Sequence, residues 1–368
     1  MTLIRTCGRN RPTRSGFTLP EMMVAMALSI GIMVILTEAF KMALDFTRVA
    51  NSQKVMILQL NGVSASLSQD MRSEHFLPDD GKPNRGVRLS DQFMHKVNVN
   101  SQNWSAPRGG FFYAYNPQPT SEGTDAEGNA MSYATNHFLH FTSIRSGATE
   151  KDQFTVNSGG TIYRSNAAEV AYFLVPMPGN PKTSSGGQPL YNLVRRYRLV
   201  AQTADDINSL LPPFTTPLTP PDGEVISVPA VNPSPYTVNT LATVAKMLPA
   251  PTSYRMSFTA LTSAGRIGDD ILQSNVLSFQ VLADWDTNLN PGVTTTPLPV
   301  NYSGGNTNYP YDYLTRSAIN PAFDTQPNTP GISSTVPQAV RIRSLQITVR
   351  VFDPNLKQAR QNTMTFAK

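Results

Sequence analysis

Between Pro20 and Pro78 the chain contains no proline, and that gap constrains the fold more than any other feature. Proline breaks a helix because it lacks the backbone N–H and its ring clashes with the preceding turn. Its absence permits one helix from about Leu19 to Phe76, with Gly31 and Gly62 as the places where a bend is tolerated. At ~1.5 Å per residue such a helix runs roughly 85 Å. Its first part is apolar: Phe17 to Thr37 is 21 residues with one charge, Glu21, enough to cross a hydrocarbon core of ~30 Å. Its second part carries an apolar stripe of Phe46, Val49, Met56, Leu60, Val63, Leu67 and Met71, spaced by three or four except at Gln53. Such a stripe needs a packing surface.

Arg5, Arg9, Arg11 and Arg14 precede the apolar run with no acid among them. Positive charge stays on the cytoplasmic side, so the N-terminus is expected inside and everything after residue 40 across the membrane. Glu21 is the anomaly. A carboxylate in a membrane span costs about 2.5–3.5 kcal/mol on insertion scales and by default marks function. If the chain is cut after Gly16, the Phe17 amine lies about one helical turn from Glu21. The same amine of a neighbouring subunit would offset the cost of burying the acid. Pro20 then sits in the first turn, where its missing N–H costs nothing. Two plainer readings stay open: a signal anchor with an incidental acid, and a secretory signal cut after Thr37-Glu38-Ala39. Neither explains an acid so early in the run.

Gly16-Phe17-Thr18-Leu19-Pro20-Glu21 with the helix behind it resembles the cleavage and methylation motif of type IV pilins and type II secretion pseudopilins. The resemblance implies an α+β, pilin-like fold: a long helix, membrane half plus packed half, on a mostly antiparallel β-sheet. It implies that a prepilin peptidase cuts between Gly16 and Phe17 and methylates the Phe17 amine. It further implies that the inner membrane holds the subunit until assembly, and that Glu21 sets register against other pilin or pseudopilin subunits. The chain then divides into a leader, 1–16, a membrane segment, 17–40, an extracytoplasmic helical half, 41–77, and a periplasmic β-rich domain, 78–368.

Composition fits that division. Taking the four leader arginines from the 30 Lys and Arg leaves 26 against 25 Asp and Glu, so the mature chain is nearly neutral. That argues against general nucleic-acid binding. The single cysteine, Cys7, leaves with the leader, so no disulfide supports the rest. Pro78-Asp79-Asp80-Gly81-Lys82-Pro83 is turn chemistry and stops the helix. Beyond it, alternating β-branched and aromatic runs predict strands at Phe111–Tyr115, His137–Ile144, Glu169–Val175, Leu190–Ala201, Tyr254–Leu261, Val276–Asp284, Val340–Phe352 and Thr363–Phe366. The clearest has Leu345, Ile347, Val349 and Val351 alternating with Ser344, Gln346, Thr348 and Arg350. Leu211–Pro235 and Pro291–Pro337 read as long loops. The segments around His137–Ile144, Val170–Val175 and Tyr191–Arg196, with Val276–Asp284 and Val336–Ile342, resemble the hairpins of J-type minor pseudopilins and large minor pilins. The loops exceed what a compact J-type subunit needs and no cysteine pair closes a C-terminal loop. A lineage-specific subunit, such as the cassette type of Verrucomicrobia, fits as well.

Catalytic chemistry is not legible: the sequence has no Gly-x-Ser-x-Gly, phosphate loop or His-Glu-x-x-His. The expectation is a non-enzymatic protein without a cofactor. His137 and His140 would point to opposite faces of a strand, which disfavours zinc. Asp284, Asp286 and Asn288 offer oxygen ligands at alternating positions that would suit Ca²⁺, but Leu289 and Thr295 stand where an EF-hand loop needs Gly and Glu; an Asx-rich turn explains them equally. Arg195, Arg196 and Arg198 beside Tyr191 and Tyr197, with Arg341, Arg343 and Arg360, could form a basic aromatic patch. The expected role is therefore a minor pilin or pseudopilin that initiates or caps a filament. The alternative is a filament-displayed adhesin or DNA-capture module, and nucleic acid is not the default partner.

Overall fold

The computed structural model describes residues 16–77, 86–89, 109–115, 120–124, 130–147, 149, 152–158, 161–177, 187–203, 225–228, 238–245, 269–286, 322–324, 341–354 and 356–367. The arginine leader, the expected strand Tyr254–Leu261, Asn288 and most of both proline-rich stretches lie outside them. The chain divides into two compact units, Met1–Val55 and Met56–Lys368.

Helix α1 spans Leu19–Met71. It is built largely of Met, Leu, Ala and Ile, which lose little freedom or bury well in a helix. It stops five residues before the expected Phe76. The Arg72 N–H still donates to Ser68, but the Ser73 N–H turns back to Asp70 at 3.2 Å. After that the backbone is claimed by sheet-like bonds: Ile144 N–H to the Glu74 carbonyl at 2.7 Å and Leu77 N–H to Gly109 at 3.0 Å. Pro78 did not need to end the helix, because tertiary pairing had already ended it.

The second unit is built on an eight-stranded sheet in the order β10-β1-β4-β7-β8-β9-β11-β12. Its strands are β1 (Phe112–Tyr115), β4 (Phe138–Ile144), β7 (Ala167–Pro176), β8 (Tyr191–Val200), β9 (Asp269–Asp286), β10 (Ala322–Asp324), β11 (Arg341–Asp353) and β12 (Gln358–Ala367). Every pairing between them is antiparallel. Two small hairpins form sheets of their own, β2 (Thr120–Thr124) with β3 (Ala130–Tyr133) and β5 (Phe154–Ser158) with β6 (Thr161–Ser165), and Phe154, Val156 and Tyr163 of the second pack in the main core. β9 shapes the sheet. Its first half pairs with β8 through a register broken near Leu193, and Asn275 there adopts φ 57°. Past that bulge the strand turns away from β8: Phe279 N–H donates to the Ala134 carbonyl and Val281 N–H to His137 Nδ1. A bulge increases local twist, and the sheet curls into a half-barrel.

The concave core is the predicted one. Met56, Leu60, Val63, Leu67 and Met71 of α1 are buried in one cluster with Phe141, Tyr172, Leu193, Phe279, Ile347 and Val349. The stripe does not extend back as expected: Phe46 is 75% exposed and Val49 half-buried, so packing starts at Met56. β4 is buried along its whole length. Its second face is covered in part by a one-turn helix, α2 (Leu241–Ala245), whose Leu241 and Val244 pack on Phe111, Ile144 and Val200.

Gly110 has φ +82°, and a Cβ built there would lie 2.1 Å from the His75 carbonyl oxygen, whereas one at Gly62 meets nothing within 4 Å. Gly110→Ala is expected to lose more than about 1 kcal/mol, and Gly62→Ala to gain about 0.5–1 kcal/mol from helix propensity. Thermal melts of the two variants in detergent should therefore shift in opposite directions.

Candidate functional site

The head of α1 carries the residues singled out in sequence. Gly16 and Phe17 are exposed, Phe17 to 79%, immediately before the helix. Glu21 Oε2 accepts the Thr18 backbone N–H at 2.8 Å and the Thr18 hydroxyl at 2.9 Å. The first helical bond runs from Met22 N–H to the Thr18 carbonyl. Thr18 is thus the N-cap and Glu21 the third helical residue, reaching back to a donor the helix cannot pair itself. The Thr18-x-x-Glu21 spacing is the sequence signature of such a cap. Pro20 occupies the second helical position, where no intrahelical donor is needed.

Below the cap, α1 is long and apolar enough to cross a membrane, and among the described residues no other helix is. Eleven large apolar side chains between Met22 and Leu36 are 53–70% exposed. At about 1.5–3 kcal/mol for each such side chain taken out of water, lipid burial is worth on the order of 15–30 kcal/mol. That far exceeds the roughly 3 kcal/mol penalty of one acid. The hydroxyls in this stretch are satisfied locally: Ser29 donates to the Ala25 carbonyl and Thr37 to Met33, each at 2.8 Å.

The other end of α1 is fixed by charge. Asp70, 1% exposed, accepts Arg195 Nε at 2.7 Å, Arg195 Nη2 at 3.0 Å and the Tyr172 hydroxyl at 2.6 Å. Burial works against the Arg195 charge, but the Asp70 carboxylate, aided by Tyr172 and Asp270, more than offsets it and holds the guanidinium above its ordinary range. Burial and the same carboxylate push the Tyr172 phenol well up. Next to this lock, His75 is fully buried with Nδ1 2.7 Å from the Thr142 carbonyl, to which it donates. Burial lowers its pKa despite that bond.

The remaining sequence candidates do not converge. The expected basic patch is not a free surface: Arg195 serves Asp70, Arg196 is 1% exposed and paired with Asp269, and Arg198 donates to the Ile226 carbonyl at 3.1 Å. Arg341 and Arg343 lie on β11 and Arg360 on β12. His137 binds β9, while His140 Nε2 lies 2.8 Å from Glu169, whose other oxygen accepts the Ser227 hydroxyl at 2.8 Å. Because Glu169 stands between Ser227 and His140, the imidazole has no bond to the hydroxyl. The trio holds residues 225–228 against the sheet instead. Asp284 and Asp286 fall inside β9, where their backbone partners are Ser344 and Arg341. Among the described residues no group of three or more His, Cys, Asp or Glu could hold a metal.

No protein-family model matches the chain, no curated protein matches its sequence, and no solved structure matches its fold. The class is defined by architecture: one long N-terminal helix, apolar and bare at its head, seated at its far end on a mostly antiparallel half-barrel, which is a pilin-like fold.

Asp70→Ala leaves a buried guanidinium and a phenol without their acceptor, and should cost about 3–5 kcal/mol, read as a lowered urea midpoint of the second unit. His75 gives the opposite kind of test. Its folded pKa lies below the unfolded value of 6.5. Its contribution is therefore complete above about pH 6.5 and is lost as pH falls, because the unfolded chain takes the proton first. The loss of stability between pH 7.5 and 5 should be smaller in His75→Asn than in the parent chain.

Proposed function

We propose that the chain is a membrane-anchored structural subunit of pilin or pseudopilin type, a minor subunit that initiates or caps a type IV pilus-like or type II secretion pseudopilus filament. One observation carries the reading: a capped helix head bearing Gly16-Phe17 and Glu21, exposed and apolar for its next four turns. In this reading the arginine leader stays in the cytoplasm, a prepilin peptidase cuts after Gly16, and the half-barrel lies on the far side of the inner membrane. Glu21 then meets the methylated Phe17 amine of another subunit. Both Thr18 bonds go to Oε2, so the second carboxylate oxygen can accept that amine without breaking the cap. The alternative of DNA capture loses its main support, since Arg195 and Arg196 are committed to Asp70 and Asp269.

Two substitutions test the reading in the native host. A Cβ at Gly16 meets nothing within 4 Å, so Gly16→Ala leaves the fold alone and should abolish cleavage, seen as a leader-bearing mass. Glu21→Gln retains an oxygen for the Thr18 cap and removes the charge. It should be cleaved normally and yet drop out of sheared filaments; incorporation at the parent level would show that charge pairing is not its role.

A further inference from the structure

The sheet ends unequally. At one side β10 is three residues long, short enough to offer little to another strand. At the other, β12 pairs with β11 through ten successive residue pairs, Ser344–Ala367 to Asp353–Gln358, with no shift in register. Among the described residues no strand lies on its outer side. Gln358, Ala359, Gln361, Thr363 and Thr365 are exposed. The strand has no proline and no bulge, and Arg360 is its one charge. Edges of this length are normally bent, shortened or charged along their length, because unpaired N–H and C=O groups recruit another strand.

We propose that β12 is the docking edge for an extended acidic segment of a partner polypeptide, which joins the sheet as a further strand. The main chain supplies the affinity of such strand addition, and charge supplies the choice of partner. From Lys357 to Lys368 the sequence has three cations, Lys357, Arg360 and Lys368, and no acid. Two copies paired antiparallel about Asn362 and Thr363 would set Lys357 against Lys368, and no register gives a cation an acidic mate. The edge therefore disfavours its own copy and favours an acidic strand, which is discrimination by repulsion as well as by attraction. One face is already prepared for the newcomer: Met364 is buried in the main core and the half-buried Phe366 packs against it, so a strand beside them extends an existing apolar surface. None of this depends on the filament reading.

The test uses the full chain in detergent micelles and two fluorescein-labelled peptides, one alternating glutamate with valine and one alternating lysine with valine. The glutamate peptide should bind and slow amide exchange across 358–367, and Arg360→Glu should weaken it by about fivefold or more. Equal binding of the lysine peptide, or binding without slowed exchange in 358–367, overturns the proposal, as does no binding. Protection of 358–367 that grows with protein concentration and no peptide would assign the edge to a second copy instead.

Discussion

A buried acid at the wrong end of a helix governs how this molecule is put together. Asp70 sits in the last turn of α1, where the helix dipole is negative and a carboxylate is disfavoured, and it is almost wholly out of water. Such a charge persists only where the surroundings over-compensate it, and here Arg195 and Tyr172 converge on it from two adjacent strands, β8 and β7. The fork of the guanidinium fixes direction as well as distance. Once Asp70 is held, the rotation of the helix about its axis is fixed. Met56, Leu60, Val63 and Leu67 then follow onto the sheet by periodicity alone. A hydrophobic stripe by itself tolerates sliding by a turn, and the ion pair removes that freedom.

The opposite end of α1 solves the converse problem. The first turn of any helix has unpaired N–H groups, and in this chain that turn stands at the head of a long apolar run. Glu21 satisfies the Thr18 donor, so the acid that looked costly is also a cap. A carboxylate has four lone-pair sites and the cap uses one oxygen. The Thr18 cap therefore makes no use of Oε1.

Much of this architecture is legible in the sequence. The proline gap located α1, and seven strands fall where alternation placed them, because half-buried strands advertise their faces with period two. What stayed hidden was of three kinds. The early helix end depends on Glu74 and Leu77 pairing with residues far along the chain, which no local pattern records. The hairpin β2–β3 is short and polar, as Thr120-Ser121-Glu122-Gly123-Thr124 shows, and reads as a loop, while β5–β6 has only two apolar residues in each five-residue strand, Phe154 and Val156 against Ile162 and Tyr163, too short a run to stand out. Arg195 and Arg196 looked like a surface patch because a strand hides which arginine will meet an acid. Their mates, Asp70 and Asp269, are distant in sequence, and alternation predicts the face of a side chain but not its partner.

The two ends of the helix also differ in what they leave unfinished. From Met56 onward the buried stripe is complete within the chain, and its energetics are those of an ordinary core. Before Val55 nothing comparable holds: Phe40, Met42, Leu44 and Phe46 are 57–75% exposed, and they lie beyond the stretch that ~30 Å of hydrocarbon would cover if the span begins at Phe17. Each is worth about 1.5–3 kcal/mol when removed from water, too much in sum to leave wet along one short segment. A membrane span beginning at Phe17 would cover the side chains up to Leu36 but not these four. The charges around them, Glu38, Lys41, Asp45 and Arg48, show why a deeper membrane position would be no remedy, since lowering Phe46 into lipid would carry the first three with it.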